Sequence, residues 1–112
     1  MGREVSKGDI GSLVLAVLAG GPCHGYAIAR EVERQSREVL QMREGSLYPA
    51  LRVLEAQGLI KGSWETGSSG PARKVYSLTT QGHDALVQKR HAWAEYARAI
   101  NEFLGGTYEQ SA

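Results

Sequence analysis

Between residues 10 and 18 the apolar side chains Ile10, Leu13, Val14, Val17 and Leu18 recur at helical spacing, which makes one stripe of an amphipathic helix. The spacing predicts a first helix from Asp9 to Ala19. Ser6 and Asp9 form a capping pair at its start, and Gly20-Gly21-Pro22 stop it, because glycine frees the backbone and proline cannot continue a helix. A second helix is predicted from about His24 to Ser36. Tyr26, Ile28, Ala29 and Val32 give it a narrow apolar face, and Arg30, Glu31, Glu33, Arg34 and Arg37 a solvated one. Glu33 and Arg37 are the favourable opposite-sign pair on that face. Val39 to Met42 alternates weakly and reads as a short extended link.

The stretch EGSLYPALRVLEAQGLI, residues 44–60, predicts a third helix. Leu47, Leu51 and Leu54 share a face with Ala50 beside them, while Tyr48, Arg52 and Glu55 lie on a neighbouring face. Pro49 is expected in the first turn, where its missing N–H costs little and its fixed φ suits helix initiation. Gly58 is the expected C′ residue. Beyond it the period shortens. Leu59 to Glu65 and Ala72 to Leu78 read as two strands, joined by the turn-forming tip TGSSGP.

Thr79 to Leu104 then predicts a long helix capped by Thr79 or Thr80. Leu86, Trp93 and Ile100 repeat every seventh position, Ala97 and Leu104 add the four-residue offsets, and Tyr96 and Phe103 widen the stripe. A helix of that length spans ~37 Å, more than so small a domain can cover. The same helix of a second copy is the simplest cover. Gly105-Gly106 should end the helix, and residues 107–112 form a frayed tail.

Three helices, a two-stranded hairpin and a long helix make a mainly α fold: a winged helix-turn-helix over residues 1–79, followed by a C-terminal dimerisation helix and tail over 80–112. In such a unit the third helix enters the major groove of DNA and the hairpin lies along the backbone. The net charge is only +1, so any nucleic-acid signal is local. From Gly45 to Thr80 the cations Arg52, Lys61, Arg73 and Lys74 outnumber the acids Glu55 and Glu65. Cys23 stands alone, which rules out an internal disulfide and a Cys-rich zinc pattern. His83 and His91 are too far apart for joint ligation at one-turn spacing, so no metal or cofactor is expected. No nucleophile–base constellation marks an enzyme. The apolar run Leu13 to Ala19 is too short for a bilayer, and the N-terminus lacks a signal-peptide pattern. A cytoplasmic protein without a membrane partner is expected.

The motifs HGYAIA at residues 24–29, EGSLYPALRVLEAQGLI, the wing SGPARKVYSLTTQG at 69–82 and the single long C-terminal helix together resemble the PadR family of bacterial transcriptional regulators, in its smaller form. The resemblance covers Asp9 to Leu104. It implies a winged-helix DNA-binding repressor, homodimeric through the last helix. Many members are released from DNA by small aromatic or drug-like compounds, and others have no known ligand, so a small hydrophobic or aromatic effector stays open. Ser46, Tyr48 and Pro49 match the family's Ser-Tyr-Pro start of the recognition helix, and Gly70, Arg73 and Lys74 match the wing. Trp93 falls where some drug-binding relatives carry a tryptophan at the dimer interface. Gly8-Asp9 stands where relatives often have a Thr-Pro pair.

Each of these residues also has a plainer reading. Tyr48 reaches a phosphate with its hydroxyl, or it packs on the second helix. Arg52 reads a guanine or holds a phosphate, or it pairs with Glu55. Arg73 and Lys74 face opposite ways on a regular strand, so one of them at least is offered to DNA, with Lys61 on the paired strand. Leu86, Trp93, Tyr96, Ala97, Ile100, Phe103 and Leu104 form a dimer interface, a ligand pocket between protomers, or both. The runner-up function is a winged-helix dimer that binds protein rather than specific DNA.

Overall fold

In the computed structural model, which describes residues 2–66 and 70–105, the first element is one the hydrophobic pattern did not reveal. Strand β1 (Arg3–Glu4) pairs in parallel with β3 (Leu40–Gln41). Its hydrogen bonds run from the Arg3 N–H to the Val39 carbonyl at 2.8 Å and from the Val5 N–H to the Gln41 carbonyl at 2.9 Å. A two-residue strand has no periodicity to read. The extended link expected around Val39 to Met42 is its partner.

Helix α1 (Lys7–Ala19) starts slightly before the predicted position, with Ser6 as N-cap. The Ser6 hydroxyl donates to the Asp9 carboxylate at 2.8 Å, so the two residues form a pair at the helix start. Helix α2 (Gly25–Gln35) follows the two-residue strand β2 (Cys23–His24). The expected Glu33–Arg37 pair does not form. The helix ends before Arg37, which with Glu38 turns into left-handed backbone at φ 53 and 64. Glu31 takes up Arg34 and Gln35 instead, and these hydrogen bonds hold its carboxyl at a pKa of about 2.

Helix α3 (Glu44–Ala56) buries Leu47, Leu51 and Leu54, as the pattern predicts. It begins earlier than the proline suggested. Pro49 sits in the second turn rather than the first, inside the helix. Its ring lacks the N–H that would bond the Gly45 carbonyl. Both residues are exposed, so water can serve that acceptor. Gly58, at φ 77, closes the helix. Its N–H bonds the Glu55 carbonyl at 3.0 Å and the Leu59 N–H bonds the Leu54 carbonyl at 3.0 Å, which is a Schellman motif.

Strands β4 (Ile60–Glu65) and β5 (Arg73–Leu78) form the predicted hairpin, with Gly62 opposite Tyr76 and Trp64 opposite Lys74. Strand β5 lies in the middle, because β2 pairs with its other edge. Residues 67–69 of the expected tip lie outside the described residues. Helix α4 (Thr80–Phe103) is capped by Thr79, whose side chain accepts from the Gly82 N–H. The helix ends before Gly105; Gly106 and the expected frayed tail fall outside the described residues. Val14, Leu15, Ile28, Leu47, Leu51 and Ile60 are fully enclosed at the centre. Tyr76 and Leu86 bring the sheet and α4 into the same cluster.

Candidate nucleic-acid interface

The leucine stripe of α3 fixes which side of that helix faces outward. Opposite it, Gly45, Pro49, Arg52, Val53 and Ala56 are exposed, a strip of small and apolar groups around one guanidinium. Arg52 has no carboxylate within bridging distance among the described residues. Ser46 and Tyr48 flank the strip and are half-buried. Val53 escaped the sequence reading. Its signal was an apolar, β-branched residue off the leucine stripe, able to meet a thymine methyl.

Tyr48 leans toward α2. A Cβ built on Gly25 would lie 3.0 Å from its ring and 3.1 Å from its hydroxyl oxygen. The absence of a side chain at Gly25 therefore makes the space in which Tyr48 packs. Burial, then the charges of Glu44 and Tyr76, push the Tyr48 phenol above its usual pKa. This is the packing alternative in geometric form: the ring braces α2 against α3.

The wing is held on both faces. On one, the His24 Nε2 lies 3.1 Å from a Glu65 carboxylate oxygen, and the His24 ring stacks on Tyr26 with centroids 6.0 Å apart. Arg73 extends over the same Tyr26 ring at 5.8 Å and reaches its hydroxyl at 3.5 Å. His24 and Tyr26 belong to a visible motif, but their link to a strand nearly fifty residues away could not be seen in the chain order. On the other face, Lys74 donates to Glu55 at 3.1 Å. The acid expected beside Arg52 is thus occupied by Lys74. Arg73 and Lys61 are exposed without a carboxylate partner among the described residues. Gly70, at φ 90 and exposed, returns the chain toward β5.

A second surface runs along α4. Leu86 is buried in the core and Ala97 is half-buried, but Trp93 is 58% exposed, Phe103 85% and Leu104 79%. Tyr96 and Ile100 are exposed with them, and the Trp93 and Tyr96 rings lie 5.7 Å apart. Beside this face a groove of about 600 Å³ opens between α1, the β1–β3 pair and α4, with Leu13, Ala16, Val39, Leu40, Leu86 and Trp93 in its walls. Cys23 is half-buried, and burial followed by the charge of Glu31 raises its thiol pKa. Among the described residues no cluster of His, Cys, Asp or Glu could hold a metal ion, and no helix is long and apolar enough to cross a membrane.

A tri-helical core, a third helix with one outward strip and a wing beside it define a winged-helix protein. Comparison with known proteins gives the family. The Transcriptional regulator PadR-like family matches residues 14–88. The chain is 36% identical over 104 residues to the transcriptional regulator Rv3488 of Mycobacterium tuberculosis, covering 93% of this chain and 91% of that one. A PadR family transcription regulator from Clostridium difficile superimposes with a TM-score of 0.75 at 37% identity, over 87% of this chain and 99% of that chain. A transcriptional regulator from Clostridium thermocellum gives a TM-score of 0.81 at 28% identity, over 88% and 92%. The chain belongs to the PadR-like family, and its work is DNA-binding transcriptional regulation.

Proposed function

We propose that this chain acts in the cytoplasm as a homodimeric repressor on a near-palindromic operator. Residues 1–79 read DNA and residues 80–112 join the protomers. One observation carries this reading. The strip Gly45, Pro49, Arg52, Val53 and Ala56 is exposed opposite a fully buried leucine face, and its only cation is unpaired among the described residues. A helix of this diameter fits the major groove, where Arg52 can meet guanine and Val53 a thymine methyl. Ser46 and Pro49 lie at the helix's leading side. Lys61, Gly70 and Arg73 are assigned to the phosphate backbone. The exposed aromatic half of α4 supports the dimer, because exposed apolar surface of this kind is normally covered. The groove beside Trp93 supports a second reading, a small aromatic effector that changes how two protomers sit.

Selection of bound duplexes from a random pool tests the central reading. An inverted repeat with half-sites about one helical turn apart, ~34 Å, is expected. Arg52→Ala should cost about 1–3 kcal/mol and relax preference at one base pair. Arg73→Ala should weaken binding to all sequences and flatten the salt slope by about one unit. A pool that yields no preferred sequence, with no shift of any duplex at low salt, would refute DNA reading and favour a protein-binding role for the same fold.

A further inference from the structure

The wing carries two adjacent cations, and the structure treats them differently. Arg73 is exposed, and its guanidinium lies over the Tyr26 ring with no carboxylate partner among the described residues. Lys74 is two-thirds buried, with its ammonium 3.1 Å from the Glu55 carboxylate, itself two-thirds buried. Two aromatic rings flank that ammonium, Tyr76 at 5.4 Å and Trp64 at 5.8 Å. Gly62 supplies the space. A Cβ built there would lie 2.3 Å from Lys74 Cε and 3.0 Å from a Glu55 carboxylate oxygen. Strand register explains the grouping. Gly62 and Trp64 of β4, and Lys74 and Tyr76 of β5, are cross-strand partners on one side of the hairpin. Glu55 reaches that side from the last turn of α3, one turn beyond Arg52.

A phosphate meeting Lys74 would come to lie beside the Glu55 carboxylate that already neutralises the ammonium, where like charges repel. We infer that Lys74 and Glu55 are positioning residues: seated in the slot left by Gly62, they lock the wing to the recognition helix, and Lys74 does not bind phosphate. The lock fixes the distance between the element in the groove and the element on the backbone. Its effect is on the preference for the operator over other DNA. The bond to Glu55 also raises the Lys74 pKa, so the ammonium keeps its charge throughout the range of DNA-binding conditions.

This inference rests on the DNA-reading function, and the experiment separates the two. The double variant Glu55→Gln/Lys74→Met removes the pair without changing net charge. Its affinity, and that of the wild type, would be measured on the selected operator and on a scrambled duplex of equal length, across a salt series. A lock predicts an unchanged affinity and salt slope on the scrambled duplex, with the operator preference reduced on the order of tenfold. A phosphate contact predicts weaker binding to both duplexes and a slope flatter by about 0.9, which would overturn the assignment. A full operator preference in the double variant would overturn it equally. Gly62→Ala puts a methyl group into the slot and displaces the Lys74 side chain with no change of charge, so it should lower the operator preference in the same direction. If that variant does not fold, the double variant decides alone. A wild type that shows no operator preference sinks the DNA reading itself, and this assignment with it.

Discussion

Gly82→Ala sets two physical effects against each other with opposite signs. Gly82 is a helical residue in the first turn of α4. Helix propensity alone says that alanine should stabilise the fold by up to about 1 kcal/mol. The structure says otherwise. The new Cβ would stand 2.0 Å from the Leu59 carbonyl oxygen and 2.6 Å from Leu78 Cδ1, where real Cβ atoms essentially never come within 3.0 Å. The shortfall of about 1 Å falls on backbone, so it cannot be relieved by a side-chain rotation. That carbonyl already accepts from the Thr79 N–H at 3.1 Å, and the Thr79 hydroxyl, which lies 2.7 Å from the Gly58 carbonyl oxygen and 3.0 Å from that of Leu59, caps the Gly82 N–H. Lifting α4 breaks this cluster. Overpacking costs about 1–3 kcal/mol and loss of the cap about 1, so the net is a destabilisation of about 1–3 kcal/mol after a propensity gain of about 1. Urea unfolding of the full chain measures it, at matched protomer concentration because association shifts the midpoint. The midpoint should fall by about 0.5–2 M. Gly11→Ala is the internal control. Its Cβ would meet only Leu54 Cδ2 at 3.7 Å, and it should stabilise by up to about 1 kcal/mol. A Gly82→Ala protein as stable as wild type would refute the close-packing account of this turn.

Leu51→Ala empties a site with no solvent exposure and should cost about 2–5 kcal/mol; a loss under 1 kcal/mol in urea would mean that α3 is not anchored by its leucine face. Tyr48 carries a pH signature. Its phenol has an ordinary value of 10.0 and is raised in the fold, so its contribution is complete below that pH and is lost as pH rises through the folded value. Tyr48→Phe should therefore flatten the alkaline fall of the urea midpoint, and an unchanged profile would count against the packed phenol. Ile100→Glu places a charge on the exposed apolar face of α4. If two copies join through this face as proposed, light scattering should give a monomer mass for the variant and a dimer mass for the wild type at equal concentration, and equal masses would remove this face from the proposed interface.

The long-period features were legible because each helix carries its own instructions. Leu47, Leu51 and Leu54 announce a buried face, and Gly58 and Thr79 mark a stop and a start with local chemistry. What stayed hidden was pairing across distance. Strands β1, β2 and β3 have two residues each, too few for alternation, and exist because another segment offers hydrogen bonds. The placement of Pro49 misled for a related reason: proline favours a first turn, but the burial of Leu47 in the core draws the preceding turn into the helix. At the site, Arg52 and Arg73 emerged exposed, whereas Lys74 is taken by Glu55. Alternation along the strand says that the two wing cations face opposite ways, and the register with Gly62 shows which of them meets Glu55.

The central position of β5 has a genetic consequence. Both β2 and β4 depend on it for pairing, so a chain that stops before residue 73 can form no part of the three-stranded sheet. Premature stops before codon 73 should behave as simple nulls. A stop just after Leu86 is different, because the buried apolar side chains among the described residues end with Leu86. On the dimer reading, such an allele makes a folded head without its coupling helix, which could occupy half an operator and compete with the intact protein. The character of a truncation, recessive or interfering, should therefore switch across fewer than fifteen codons.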